Sequence, residues 1–80
     1  MTSNRHKNRQ KMRENLINMM LSIDKNAYVT NYKYIGFKCL FDTTLTNDDI
    51  TKINEFCAKY NCRWMMLIVN GRYCLTILKK

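Results

Sequence analysis

The side chains able to do covalent, acid–base or metal chemistry are few. They are Cys39, Cys57, Cys62 and Cys74, the single histidine His6, Ser3 and Ser22, and the carboxylates Glu14, Asp24, Asp42, Asp48, Asp49 and Glu55. Nucleophilic catalysis needs a nucleophile, a base and a group that orients the base. His6 and Ser3 lie in a polar N-terminal stretch with no packing pattern to orient them, and Ser22 falls in a helical segment. Asp48 and Asp49 open a second helical segment, where they serve the helix dipole before any proton transfer. Gly36 and Gly71 are the only glycines, too few for a phosphate-cradling loop. The expectation is a non-enzyme with no catalytic residues and no cofactor.

The cysteines allow three kinds of chemistry. Zinc favours two ligands from one turn. Cys57 and Cys62 bracket four residues, but they span a helix face and a strand start, while Cys39 and Cys74 sit in mid-strand. Those two thiols would approach only if their strands were neighbours. Disulfides would suit a secreted chain, with three pairings open. No secretory signal is evident: the apolar stretch from Leu16 to Ile23 is short, Asn18 interrupts it, and no small-residue cleavage site follows. An Arg-rich, acid-free start also resembles a mitochondrial presequence, the alternative destination. The favoured reading is four buried thiols acting as small hydrophobes in a cytoplasmic protein, with no metal.

Charge is the stronger signal. Fourteen Lys/Arg against six Asp/Glu give +8. Residues 1–13 hold Arg5, Lys7, Arg9, Lys11 and Arg13 and no acid, and residues 63–80 hold Arg63, Arg72, Lys79 and Lys80 and no acid. The middle is balanced. Segregation of this kind points to an anionic partner rather than to solubility alone. No apolar run reaches the roughly 18 residues that cross a bilayer.

The elements that must position these cations read as follows. Residues 1–8 form a basic arm, and residues 9–80 a single α+β domain. Met12, Leu16, Met19, Met20 and Ile23 recur on one face of a helix over residues 9–23. Ile17 and Leu21 widen that face, and Asn26 is suited to a left-handed stop. From Tyr32 to Phe41 the period is two: Ile35, Phe37, Cys39 and Phe41 alternate with Tyr34, Gly36, Lys38 and Leu40. Tyr28 and Val29 are either a short preceding strand or loop. Thr46 with Asp49 predicts a capping box. The helix it opens carries Ile50, Ile53, Phe56, Cys57 and Tyr60 inward and ends at Asn61. Asn70-Gly71 predicts a two-residue hairpin. Its register puts Trp64, Met66, Ile68, Tyr73, Leu75 and Ile77 on one face. Arg63, Met65, Leu67, Val69, Arg72, Cys74, Thr76 and Leu78 lie on the other. The expected architecture is α-β-α-β-β, with two helices on one face of a three-stranded sheet.

Two functional classes follow. In the first, Arg5, Lys7, Arg9, Lys11, Arg13, Arg63, Arg72, Lys79 and Lys80 contact nucleic acid or a ribonucleoprotein, mostly through phosphates. Trp64 and Tyr73 face the core, which argues against base stacking on them. Asn, Lys, Ile and Tyr fill 31 of 80 positions, a bias matching A/T-rich codons. An accessory or inhibitory protein of a phage or mobile element fits, including the anti-CRISPR kind that docks on an RNA-guided nuclease. In the second class, Met65, Leu67, Val69, Thr76 and Leu78 form an interface for an acidic protein surface or a homodimer. The first helix, laid over that face, would remove this class.

Overall fold

The apolar spacing of the first helix and the alternation of the strands are both realised in a computed structural model. It describes the backbone of residues 2–33 and 36–80, and side chains from Arg9 onward within those ranges. The elements are α1 (Thr2–Ile23), β1 (Tyr28–Tyr32), β2 (Gly36–Phe41), α2 (Asn47–Tyr60), β3 (Cys62–Val69) and β4 (Arg72–Lys79). The sheet has four strands in the order β1-β2-β4-β3, and every neighbouring pair is antiparallel. Because β2 and β3 both oppose β4, they run parallel to each other with β4 between them, and α2 makes the crossover.

The three-stranded expectation is therefore corrected to four. Tyr28 and Val29, left between strand and loop, belong to the added strand β1, and the strand expected over residues 32–41 is shortened to Gly36–Phe41, with Tyr32 pairing Gly36 across a reversal that contains Lys33 at φ 54°. A lysine in the left-handed region carries no turn signal in the sequence, so the alternation reads straight through it. Tyr34 and Ile35 lie outside the described residues. The first helix begins at Thr2 rather than at Arg9. The segment expected to be an arm holds mostly weak helix formers, but it has no Gly or Pro to interrupt a helix propagating from residues 9–23.

Other local expectations hold. The Asp49 N–H donates to Thr46 Oγ1 at 3.2 Å, and the Thr46 N–H donates to Asp49 Oδ2 at 2.9 Å. Asn61 ends α2 in the left-handed conformation, and Asn70 and Gly71 turn the β3–β4 hairpin at φ 53° and 78°. Asn26 does not adopt the left-handed stop, since it is absent from the positive-φ residues. The chain leaves α1 through Asp24 instead, whose Oδ1 accepts the Asn26 N–H at 2.9 Å.

One layer of core joins the helices to the sheet. Met12, Leu16 and Met20 of α1 and Ile53, Phe56 and Cys57 of α2 cluster with Phe37, Cys39, Phe41, Leu75 and Ile77. Those strand residues share one face, so both helices lie on it. The Asn15 side chain donates to the Tyr60 hydroxyl and ties α1 to α2. The opposite sheet face is left without a helix.

Two positions carry the fold's local demands. A Cβ on Gly36 would collide with the Ile77 carbonyl oxygen of β4. Gly36→Ala is expected to cost about 1–3 kcal/mol, read by urea denaturation. Asp24 accepts backbone N–H bonds from Asp42 at 2.9 Å, Asn26 at 2.9 Å and Thr43 at 3.3 Å. These bonds, that from Asp42 foremost, hold its carboxyl below 3.8. A lowered carboxyl pKa stabilises the fold above the unfolded value, and the contribution is lost as pH falls through the folded one. Asp24→Ala is expected to lower the melting temperature at neutral pH, with the gap to wild type closing in acid below 3.8.

Candidate nucleic-acid interface

The positions of Arg9, Lys11 and Arg13 follow from how α1 is laid along the sheet. Met12, Leu16 and Met20 recur every fourth residue and are buried, which fixes the face of the helix but not its direction. The direction is set at the two ends. Near the N-terminal end, Arg9 Nη2 donates to the Gly36 carbonyl at 3.2 Å, and its guanidinium lies 4.5 Å from the Phe37 ring centre. At the C-terminal end, Asp24 takes the N–H of Asp42 just beyond Phe41. α1 thus runs alongside β2 in the same sense, with its basic half at the start of β2.

The sheet register brings the other cationic segment to that same end. Gly36 pairs Leu78, and Leu78 pairs Arg63, while Lys79 pairs Cys62. The Lys80 N–H donates to the Asn61 carbonyl at 3.0 Å. Lys59 occupies the last turn of α2 at this end, and Lys33 lies in the reversal beside it. Arg9, Lys11, Arg13, Lys33, Lys59, Arg63, Lys79 and Lys80 therefore converge, although the sequence separates them by up to 71 positions. Glu14, one residue after Arg13, and Glu55, one turn before Lys59, are the acids that border this group. Asp24, Asp42, Asp48 and Asp49 gather at the opposite end, around the close of β2 and the start of α2. Lys25 follows Asp24, Lys52 lies one turn from Asp48, and Arg72 pairs Asp42 at that end, so the molecule has a strongly basic pole and a nearly balanced, weakly acidic one.

Within the basic pole, Arg9 and Arg13 lie one turn apart on α1 and line an open groove of about 270 Å³ with Gln10 and Asn31. Asn31 comes from β1, where it pairs Phe37. The stack on Phe37 and the bond to Gly36 hold the Arg9 guanidinium in place, so less entropy is lost when its other N–H donors meet an anion. Guanidinium and amide donors around one groove suit phosphate oxygens.

The residues expected at an anion interface divide. Lys11, Arg13, Arg63, Lys79 and Lys80 are exposed and share the pole. Arg9 is half-buried. The side chains of Arg5 and Lys7 lie outside the described residues, as does that of His6. Arg72 is at the wrong end: its Nε donates to Asp42 Oδ1 at 3.0 Å, and the two form the only ion pair among the described residues. Such an exposed pair contributes about 0–1 kcal/mol, but it neutralises Arg72 locally. Sequence reading missed Gln10, Asn31, Lys33 and Lys59. None has a signal of its own, because their grouping depends on β1 and on the direction of α2.

Trp64 and Tyr73 face the core as expected. Trp64 Nε1 donates to Asn54 Oδ1 at 2.8 Å, and Tyr73 stacks on Phe41 with centroids 5.5 Å apart. Lys38 lies on the helix-free face with its Nζ 4.5 Å from the Tyr32 ring. The hairpin face expected to be an interface is open, because α1 packs on the other side of the sheet. Met65, Leu67 and Val69 are exposed. Thr76 is not: at 5% exposure, between Lys38 and Met65 in the register, it offers no surface. Leu78 is half-buried.

All four cysteines are free and buried. β2 and β4 are neighbours, yet Leu40 rather than Cys39 pairs Cys74, so those two thiols point to opposite faces. Burial pushes Cys39 up to about 12 and Cys57 up to about 11. Burial also raises Cys62, with Lys79 and Lys80 opposing it. Thiols held protonated are poor nucleophiles and poor metal ligands. No group of three or more His, Cys, Asp or Glu able to hold a metal occurs among the described residues.

No protein-family model, no curated protein and no solved structure matches this chain. The chemistry of its surface must therefore be read from geometry. For the thiols the sign is clear. Unfolded thiols ionise near 9.0 and Cys39 near 12, so stability is full below the first value and falls as pH rises from it toward the second. The melting temperature of wild type is expected to fall more steeply above pH 9.0 than that of Cys39→Val.

Proposed function

We propose that this chain is a non-enzymatic binding protein whose basic pole grips the phosphate backbone of nucleic acid, alone or within a nucleic-acid–protein complex. The supporting observation is the convergence of both cationic segments on one end of the sheet, with Asp24, Asp42, Asp48 and Asp49 at the other. A field of one sign at one pole orients and captures a polyanion. Lysines and arginines on a helix and two strand ends contact phosphates without choosing a base sequence. The protonated, buried thiols support a reading without covalent chemistry, and free cysteines suit a reducing cytoplasm. No helix among the described residues is long and apolar enough to cross a membrane. An accessory or inhibitory role on a nucleic-acid machine is the biological setting this reading favours.

Counterion release gives the test. Titration into labelled duplex DNA and single-stranded RNA across a salt series should give log K falling linearly with log salt. Each phosphate contact on duplex DNA adds about −0.9 to the slope. Arg13→Ala, Arg63→Ala and Lys79→Ala should each make it shallower by about 0.9. Arg72→Ala, at the acidic pole, should leave it unchanged. A flat salt dependence, or an Arg72→Ala effect as large as that of Arg13→Ala, would refute the proposed pole.

A further inference from the structure

The basic pole leaves unexplained the most exposed apolar element of the protein. β3 is an edge strand. From Trp64 to Gly71 it and its turn carry no charge. Met65, Met66, Leu67, Ile68 and Val69 are exposed at 46%, 39%, 56%, 72% and 44%. They alternate across both faces of the sheet, so the apolar surface wraps around the edge. Proteins normally guard such an edge with charge, Pro or a covering element; β3 has none of these between Trp64 and Val69.

The edge also offers backbone groups. The two-residue turn makes Val69 and Arg72 a hydrogen-bonded pair, so Leu67, Met65 and Arg63 direct their N–H and C=O into β4. Trp64, Met66 and Ile68 direct theirs outward.

We propose that β3 pairs with β3 of a second copy of this chain, antiparallel about a two-fold axis at Met66, joining the two sheets into one. In that register Met66 meets its counterpart, Trp64 meets Ile68, Met65 meets Leu67, and Arg63 meets Val69. Every pair is apolar except the last, and no charge faces a like charge. About six backbone hydrogen bonds form from the outward groups of Trp64, Met66 and Ile68. The antiparallel arrangement also sets the basic pole of each copy beside the acidic pole of the other. The absence of any charged group between Trp64 and Val69 selects a second copy over an acidic partner, and the weakly acidic end, where Arg72 already pairs Asp42, sets no second cationic cluster against the basic one. The interface is isologous and closes on itself. Of the cations assigned to nucleic acid only Arg63, at the end of the paired segment, touches it, so Ile68→Lys tests this interface separately from that proposal.

Sedimentation equilibrium of the whole chain should show a concentration-dependent approach to twice the 9.6 kDa chain mass. Ile68→Lys places a charge against Trp64 of the second copy and should raise the dissociation constant at least about 100-fold. Its side chain is 72% exposed in the single chain, so far-UV circular dichroism and the melting curve of the dilute protein should be unchanged. Amide hydrogen exchange gives the independent readout. The Trp64, Met66 and Ile68 amides should be protected in wild type and lose protection in Ile68→Lys, while those of Met65, Leu67 and Val69 stay protected in both. A wild type that remains at the chain mass at all concentrations would overturn the proposal. So would an open-ended series of larger assemblies, or a dimer whose Met66 amide exchanges freely.

Discussion

The carboxylate of Asp24 and the guanidinium of Arg9 hold the two ends of α1 against the two ends of β2, and the electrostatics of the whole molecule depend on that alignment. The apolar stripe of Met12, Leu16 and Met20 would bury equally well with the helix reversed. Reversal would leave Asp24 without the Asp42 and Thr43 N–H groups, and those groups without it. A carboxylate at a helix C-terminus is unfavourable toward the dipole; the N–H bonds to Asp24 offset this and make the position specific. With α1 so directed, its basic half falls beside Gly36, and the antiparallel register carries Arg63 and Lys79 to the same place.

β4 is the strand through which the two halves communicate. It pairs β2 on one side and β3 on the other, and Leu75 and Ile77 are fully buried beneath the helices. Because β4 is central, its last residues are surrounded by elements from both ends of the sequence. The C-terminal lysines thereby join arginines that precede them by more than half the chain. The same topology pushes β3 to the edge, where the helix layer does not reach Met66 and Ile68. One arrangement thus creates both surfaces, a cationic end and an apolar side.

The parts of the fold legible in the sequence are those fixed by short-range chemistry. Thr46 with Asp49, Asn61, and Asn70-Gly71 each specify a local backbone conformation, and each is found. The alternation of Phe37, Cys39 and Phe41 and the faces of the hairpin are also as read. The β1–β2 reversal was not legible, because Lys33 adopts a left-handed conformation without Gly or Asn to announce it. Arg72 was assigned to the cationic surface from its place in an acid-free segment, but only the register reveals that it opens β4 at the far end beside Asp42. Thr76 was read as surface because its strand face is helix-free; neighbouring side chains on the sheet cover it. Arg72 and Thr76 depend on which strands are neighbours, which periodicity does not encode, whereas Lys33 is a local conformation that its residue type does not signal.

Anion recognition is proposed to be confined to the end of the sheet where both cationic segments meet. The most direct measurement is a backbone and side-chain NMR titration with a short oligonucleotide at low salt. The predicted result is shift changes concentrated at Arg9, Arg13, Asn31, Arg63 and Lys79, with Asp48, Asn70 and Arg72 unmoved. Changes centred on the Asn70-Gly71 tip, or spread evenly over both poles, would contradict it.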